Sequence, residues 1–453
     1  MLTDAQVATL RTDLRGQVIL PSDPQYGEAR RVFNAMIDRR PAAIVRCTGA
    51  VDVMACVRFA RERGLAVSVR SGGHGVAGLA VCDDGLVIDM SRMKTIRIDP
   101  RHRVARCDPG LTLAEFDRET AAFNLATTMG TVSMTGITGL TLGGGLGWLM
   151  GKHGLACDNL ISADVVTADG RLVTASEEEN ADLFWALRGG SGNFGVVTSL
   201  EFRLYEQGPV FAGLVAHAMT DCAAALTFLR DFAESSPDEL GLLGAVLTLP
   251  DGLTITGLAG CYSGDVKEGE RVLNPLRSFG KPLADQFQVM PYTAFQKAID
   301  WWAEPRKQHY WRSGFLKNLP SSTLGVLAKY GANKTMKRSG FGLEFLGGKA
   351  SRIPVDATAF PHRKAKYNFL LLGSWDEASE NAMGMKWVNE FWEEMKPSIG
   401  EGTYVNYLGT NESAERVKGA YGANYARLQA VKSKYDPDNF FRMNHNIAAG
   451  KAA

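Results

Sequence analysis

Two glycine-rich stretches carry the residues best suited to chemistry. The first, Arg70-Ser71-Gly72-Gly73-His74-Gly75, sets one imidazole among small residues, and the second runs from Gly136 to Gly147. Glycine lacks the Cβ that keeps main chain away from a ligand, and its access to positive φ lets successive N–H groups converge on one anion. An imidazole in such a nest is a nucleophile beside a phosphate-bearing ligand. Two common phosphate motifs fail letter by letter. A G-x-G-x-x-G run begun at Gly143 ends on Trp148, and a P-loop ending at Gly151-Lys152 meets Leu146 and His153 where it needs Gly and Ser or Thr.

The elements that must hold these loops can be read locally. Residues 42–47 and 66–70 read as strands, joined by an amphipathic helix over 51–63 that Gly64 stops, so a βαβ-like unit delivers the His74 loop at a strand end. Strands at 86–89, 97–98 and 104–107 continue a sheet, and a helix over 112–123 opens on a capping box of Thr112 and Glu115. A hairpin turns at Asp169-Gly170, and a strand over 195–204 leads to the boundary at Gly208-Pro209. Beyond it the spacing predicts a strand over 210–216, a helix over 221–235, a hairpin at Asp251-Gly252, and helices over 292–302 and 378–395. The fold class is α+β. The expected division is a first domain over 1–207, a second over 208–402, and a tail over 403–453 that returns to the first.

The motifs RSGGHG (70–75), TGITGLTLGGGLGWLMGKHGLACDNL (135–160) and LFWALRGGSGNFGVVTSLEFRLY (183–205) resemble flavoproteins related to vanillyl-alcohol oxidase and p-cresol methylhydroxylase. With YVNYLG (404–409) and YDPDNFFRMNHNI (435–447), the resemblance narrows to the berberine-bridge-enzyme-like branch. It implies a two-domain PCMH-type FAD-binding fold with a second sheet covering the flavin.

In that branch the histidine matching His74 is bonded to the 8α carbon of FAD. Many members add a cysteine tether, but the matching position here is Val132, so a single bond through His74 is expected, and Cys157 lies well past the loop. The resemblance further assigns cofactor contacts to Arg70, Ser71, Gly72, Gly73 and Gly75, and to Thr135, Gly136, Gly139, Gly143, Gly144, Gly145 and Gly147. It adds Asp158-Asn159, the run Gly195-Val196-Val197, and Asn444 and Asn446.

Flavin oxidation of a C–H bond next to oxygen or nitrogen passes a hydride to N5 while a base takes the O–H or N–H proton. Tyr407 matches the tyrosine base of carbohydrate-oxidising relatives, and Tyr404, three residues away, would face the other side of an ideal strand. Glu344 is the second candidate base. As a lone carboxyl in GFGLEFLGG it needs a partner or stays protonated, and Arg363 is one candidate for that partner. Trp301, Trp302, Tyr310, Trp311 and Trp375 build either a core or a stacking surface, and of the adjacent Tyr310 and Trp311 only one can face a pocket.

The expected function is FAD-linked oxidation of a small alcohol, hemiacetal or amine. Oxygen is the acceptor implied by the resemblance, and no residue decides between it and another acceptor. The alternative is a flavin-dependent oxidative cyclisation or tailoring enzyme of secondary metabolism.

The totals fit this reading. Fifty Lys and Arg against 49 Asp and Glu give a charge of +1, which offers no polyanion-binding face, so neither nucleic acid nor an acidic membrane is an expected partner. Seven cysteines without a C-x-x-C pair point to neither a disulfide framework nor a thiolate metal site, and no metal is expected. Asp4 and Arg11 interrupt what would have to be a signal peptide, so the expected location is cytoplasmic.

Overall fold

The computed structural model describes residues 2–400, 402–410 and 412–450. The strand–helix–strand unit is present as Ala43–Arg46, Ala50–Glu62 and Val67–Arg70. Val53, Cys56, Val57 and Ala60 recur at helical spacing and are buried, which seals the helix onto the sheet, and Gly64 ends it at φ +62°. Leu86–Asp89 lies between the two strands, parallel to both, and Gln17–Ile19 pairs antiparallel on the outside.

A five-stranded antiparallel sheet follows, in the order Ile96–Asp99, Val104–Cys107, Val196–Arg203, Leu160–Val166 and Leu172–Ser176. The Asp169-Gly170 turn closes the last hairpin with Gly170 at φ +78°. Thr112 and Glu115 form their reciprocal cap. Val405, Leu408, Tyr421 and Leu428 join Phe116, Phe184 and Phe202 in one core, so the C-terminal segment packs into the first half of the chain.

Strands between Val210 and Trp375 build an eight-stranded antiparallel sheet. Along Gly340–Phe345, alternate side chains Phe341, Leu343 and Phe345 bury against the helices Cys222–Ala233, Ser321–Ala332 and Asn381–Met395. Gly340, Gly342 and Glu344 point the other way, towards the glycine loops.

Two segments depart from the periodicity. The helix expected over 292–302 is two short pieces, Tyr292–Phe295 and the 3-10 turn Asp300–Trp302, and the side chains at their facing ends are committed to the first half of the chain: Gln296 bonds Asp117, and Asp300 bonds Ser133. The strand expected for YVNY is a 3-10 turn, Val405–Tyr407, in which the Tyr407 N–H donates to the Tyr404 carbonyl (3.0 Å) and not to a neighbouring strand.

Candidate active site

A cavity of about 290 Å³ lies between the glycine loops and the open face of the large sheet. Residues 71–77 line it from the first loop, Thr135, Gly136 and Gly139 from the second, and Gly195, Val197 and Asn444 from further along the chain. Leu243, Trp311, Gly342, Glu344, Leu370 and Leu372 form the sheet side, and Tyr404 to Leu408 close one end. Among the described residues no lysine or arginine lines it, so an anion held there is held by main-chain N–H groups.

The two loops lie back to back. A Cβ at Gly72 would run into the main chain of Gly136, and Gly73 sits at φ +65°, so neither position tolerates a side chain without strain. His74 stacks on Phe33 (centroids 4.0 Å), and Phe33 stacks in turn on His309 (4.2 Å). Burial, with His309 next, pushes the His74 imidazole down to about 3, so it is neutral and nucleophilic at ordinary pH. Its Nε2 is buried without a hydrogen-bond partner. A neutral histidine with an unsatisfied nitrogen, beside two glycine-rich loops packed back to back, fits FAD held in this cavity.

At the closed end Tyr407 donates its hydroxyl proton to Glu344 Oε1 (3.0 Å), and Asn368 Nδ2 donates to Oε2 (2.5 Å). Burial raises the Glu344 carboxyl, opposed by these two bonds, and no cation is paired with it among the described residues. Burial, then the nearby Glu344 charge, lifts Tyr407 well above its ordinary value. Trp311 packs edge-on against Tyr407 and Phe33. Its neighbour Tyr310 points away to Asn389 and Arg312, and Trp375 is a core residue bonded to Asn381. Trp302 lines the cavity, whereas Trp301 is solvent-exposed.

Several expected site residues lie elsewhere. Arg70 is spent inside the sheet on Asp89 (2.5 Å) and the Ala29 carbonyl (2.6 Å), anchoring the strand that delivers the loop. Asp158 receives both terminal nitrogens of Arg363 (2.8 and 2.6 Å), which removes Arg363 as a partner for Glu344. Asn159 serves the carbonyl of Leu155 and accepts from Tyr205. Gly143, Gly144 and Gly147 do not line the cavity; their missing Cβ atoms make room for Asn406, Phe360 and the Met129 carbonyl. Gly145 abuts Ala156 and gives its N–H to Tyr404. Asn446 lies outside the lining, its Oδ1 buried and unpartnered.

Tyr404 does not face away from Tyr407, for the 3-10 turn brings the two rings to 4.8 Å. Its hydroxyl accepts from Gly145 N–H (2.9 Å) and Asn406 Nδ2 (2.8 Å), tying the turn to the second loop. Phe33 and Asn368 carry no local signal of their positions. Asn368 meets Glu344 only because their strands pair in register.

Residues 41–176 match the profile of an FAD binding domain, and residues 403–448 that described as berberine and berberine like. (R)-6-hydroxynicotine oxidase of Paenarthrobacter nicotinovorans is 32% identical over 457 residues, 96% of this chain and 97% of that one. The chain belongs to the berberine-bridge-like FAD-linked oxidoreductases. An FAD-linked oxidoreductase of Dictyostelium discoideum is 30% identical over 441 residues, covering 96% of this chain and 95% of its own. Crystalline 6-hydroxy-D-nicotine oxidase from Arthrobacter nicotinovorans shares the fold at TM-score 0.88 and 30% identity, over 96% of this chain and 98% of that one. Glucooligosaccharide oxidase from Acremonium strictum, described with a 6-S-cysteinyl, 8α-N1-histidyl FAD, matches at TM-score 0.87 and 25% identity, over 98% and 99%. This berberine-bridge-like protein is thus an FAD-linked oxidoreductase built on the family's α+β fold.

Proposed function

We propose that the protein is an oxidase that takes a hydride from a C–H bond beside nitrogen or oxygen of a small molecule, with Tyr407 and Glu344 receiving the proton. The observation that carries this reading is the Tyr407–Glu344 hydrogen bond within the cavity that also holds His74. Bound FAD supplies the two-electron acceptor, with O2 as the final oxidant.

A tyrosine raised this far does not stand as a phenolate. Tyr407 therefore accepts a proton only as it passes its own on. The substrate O–H or N–H proton moves to the Tyr407 oxygen, and the Tyr407 proton moves to Glu344 Oε1. Asn368 holds the other carboxylate oxygen and keeps Glu344 able to receive.

A single covalent bond, through His74, is part of the reading. Val132 lines the cavity without a nucleophile, and Cys157 lies outside the lining against Asp158, its thiol pushed up by burial. The relatives named above are called oxidases of 6-hydroxynicotine and of glucooligosaccharides. An apolar wall with one carboxyl suits a compact amine, since a sugar leaves several hydroxyls to be satisfied. Anaerobic bleaching of the flavin across amines and reducing sugars, followed by peroxide release in air, tests the proposal. Bleaching by sugars alone would reverse the substrate preference, and bleaching without peroxide would remove O2 as acceptor.

A further inference from the structure

The segment 296–309 leads into the large sheet, yet it is fastened to the first half of the chain at three places. Gln296 Nε2 donates to Asp117 Oδ2 (3.0 Å) at one end. In the middle, Asp300 accepts from both the N–H (2.7 Å) and the hydroxyl (2.6 Å) of Ser133. At the far end the Arg306 N–H reaches the Phe33 carbonyl (2.7 Å), and Asn34 Oδ1 accepts from the His309 N–H (3.0 Å). Between these fastenings Ile299, Trp302 and Ala303 line the cavity together with Gly130, Thr131 and Val132.

Trp302 has a prepared seat. Gly340 and Gly342 lie two apart on one strand and so share the cavity face with Glu344. A Cβ at Gly340 would first strike the Val246 carbonyl and would also stand 3.3 Å from the indole, while one at Gly342 would meet Leu243 at 3.5 Å and the indole at 4.0 Å, so the ring lies against this glycine-bearing stretch of the strand. The ring and the Glu344 carboxyl both line the cavity, and the indole lies against Gly342, two residues before Glu344 on the same strand. Asp300, two residues earlier in the same 3-10 turn, fixes that turn to Ser133. Ser133 adjoins Val132, so the clamp grips the loop whose residues Gly130, Thr131 and Val132 line the cavity. A carboxylate accepting two bonds from a single residue fixes that residue's orientation as well as its distance.

We propose that Trp302 limits the length of substrate the cavity admits, and that Asp300, acting through Ser133, is the positioning residue that keeps it seated. The inference rests on the cavity beside Tyr407 and Glu344 being the substrate site.

The test uses FAD-loaded protein and a series of phenylalkylamines with one to four methylenes between ring and nitrogen. It reads the concentration that half-perturbs the flavin spectrum, together with amide exchange over residues 129–136. In the parent protein that concentration should rise steeply with chain length. Trp302→Ala should lower it for the two longest amines relative to benzylamine by at least about tenfold, the scale of two further buried methylenes. Trp302→Phe should give a smaller shift in the same direction and guards against misfolding of the alanine variant. Asp300→Ala should reproduce the shift with Trp302 still present and should speed exchange over 129–136. Asp300→Asn should restore most of the parent behaviour, because its amide oxygen still accepts the Ser133 N–H.

A parent-like length profile in both Trp302 variants overturns the limit, and so does silence of every amine toward every protein. Parent-like exchange over 129–136 in Asp300→Ala overturns the clamp. A wrong base assignment leaves both readouts unmoved and shows only in the reduction rate of Tyr407→Phe.

Discussion

Tyr407 gives its hydroxyl proton to Glu344 across 3.0 Å, although the two residues lie 63 positions apart and belong to different parts of the fold. One comes from a C-terminal 3-10 turn packed on the first half of the chain, the other from the large sheet. The proposed proton transfer therefore depends on the seam between them.

Removing either member should slow anaerobic flavin reduction by about 10²–10⁴-fold, the ordinary cost of losing a positioned base. Tyr407→Phe and Glu344→Gln should show this in stopped-flow reduction with absorbance spectra otherwise unchanged. The receiving carboxylate must be ionised, so the parent rate should rise with pH, with its inflection above the ordinary glutamate value of 4.5. Glu344→Gln should lack that inflection. Reduction of Tyr407→Phe at the parent rate would discard the relay.

Asn368 should set where that inflection lies. Asn368→Leu takes the donor from Glu344 Oε2, leaving a buried oxygen unsatisfied at a cost of about 1–3 kcal/mol. It should lower stability in urea unfolding and move the inflection of the reduction rate upward. A downward shift would contradict the role assigned to this bond.

Acid-precipitated parent protein should remain yellow, and its flavin peptide should contain His74. His74→Ala should release all its flavin into the supernatant while still binding FAD reversibly through the glycine loops. A flavin peptide containing Cys157 would refute the single tether.

Asp117 makes stability depend on pH. Burial pushes its carboxyl up to about 7 from 3.8, so the folded state holds the proton more tightly than the unfolded chain does. That stabilisation is complete below the unfolded value and is lost as pH rises through about 7. Asp117→Asn should recover stability on the order of a few kcal/mol at about pH 8 relative to about pH 5. Urea unfolding at the two pH values measures the difference, and an identical pH dependence in parent and variant would exclude Asp117 as its source.

The parts legible in the sequence are those whose physics is local. A glycine loop at the end of a strand, a capping box and an Asp-Gly hairpin turn each require only neighbouring residues, and His74, Thr112 and Gly170 stand where those patterns put them. Residues whose partners come from other segments of the chain were not legible. The carboxyl of Asp158 was open to a cofactor until Arg363, 205 positions on, took it, and Arg70 was likewise claimed by Asp89. The 404–407 segment reads as a strand from its residue types, and the Tyr404 carbonyl bond that winds it into a 3-10 turn puts tyrosines three apart on one face, where a strand would put them on opposite faces.

The strap at 296–309 also bears on recombination among relatives. A chimera that exchanges the large sheet at Gly208-Pro209 would carry Gln296, Asp300 and the His309 N–H away from Asp117, Ser133 and Asn34. The heritable unit of specificity in this protein is consequently not a contiguous block of sequence. Transplanting a cavity requires three first-half residues to travel with it.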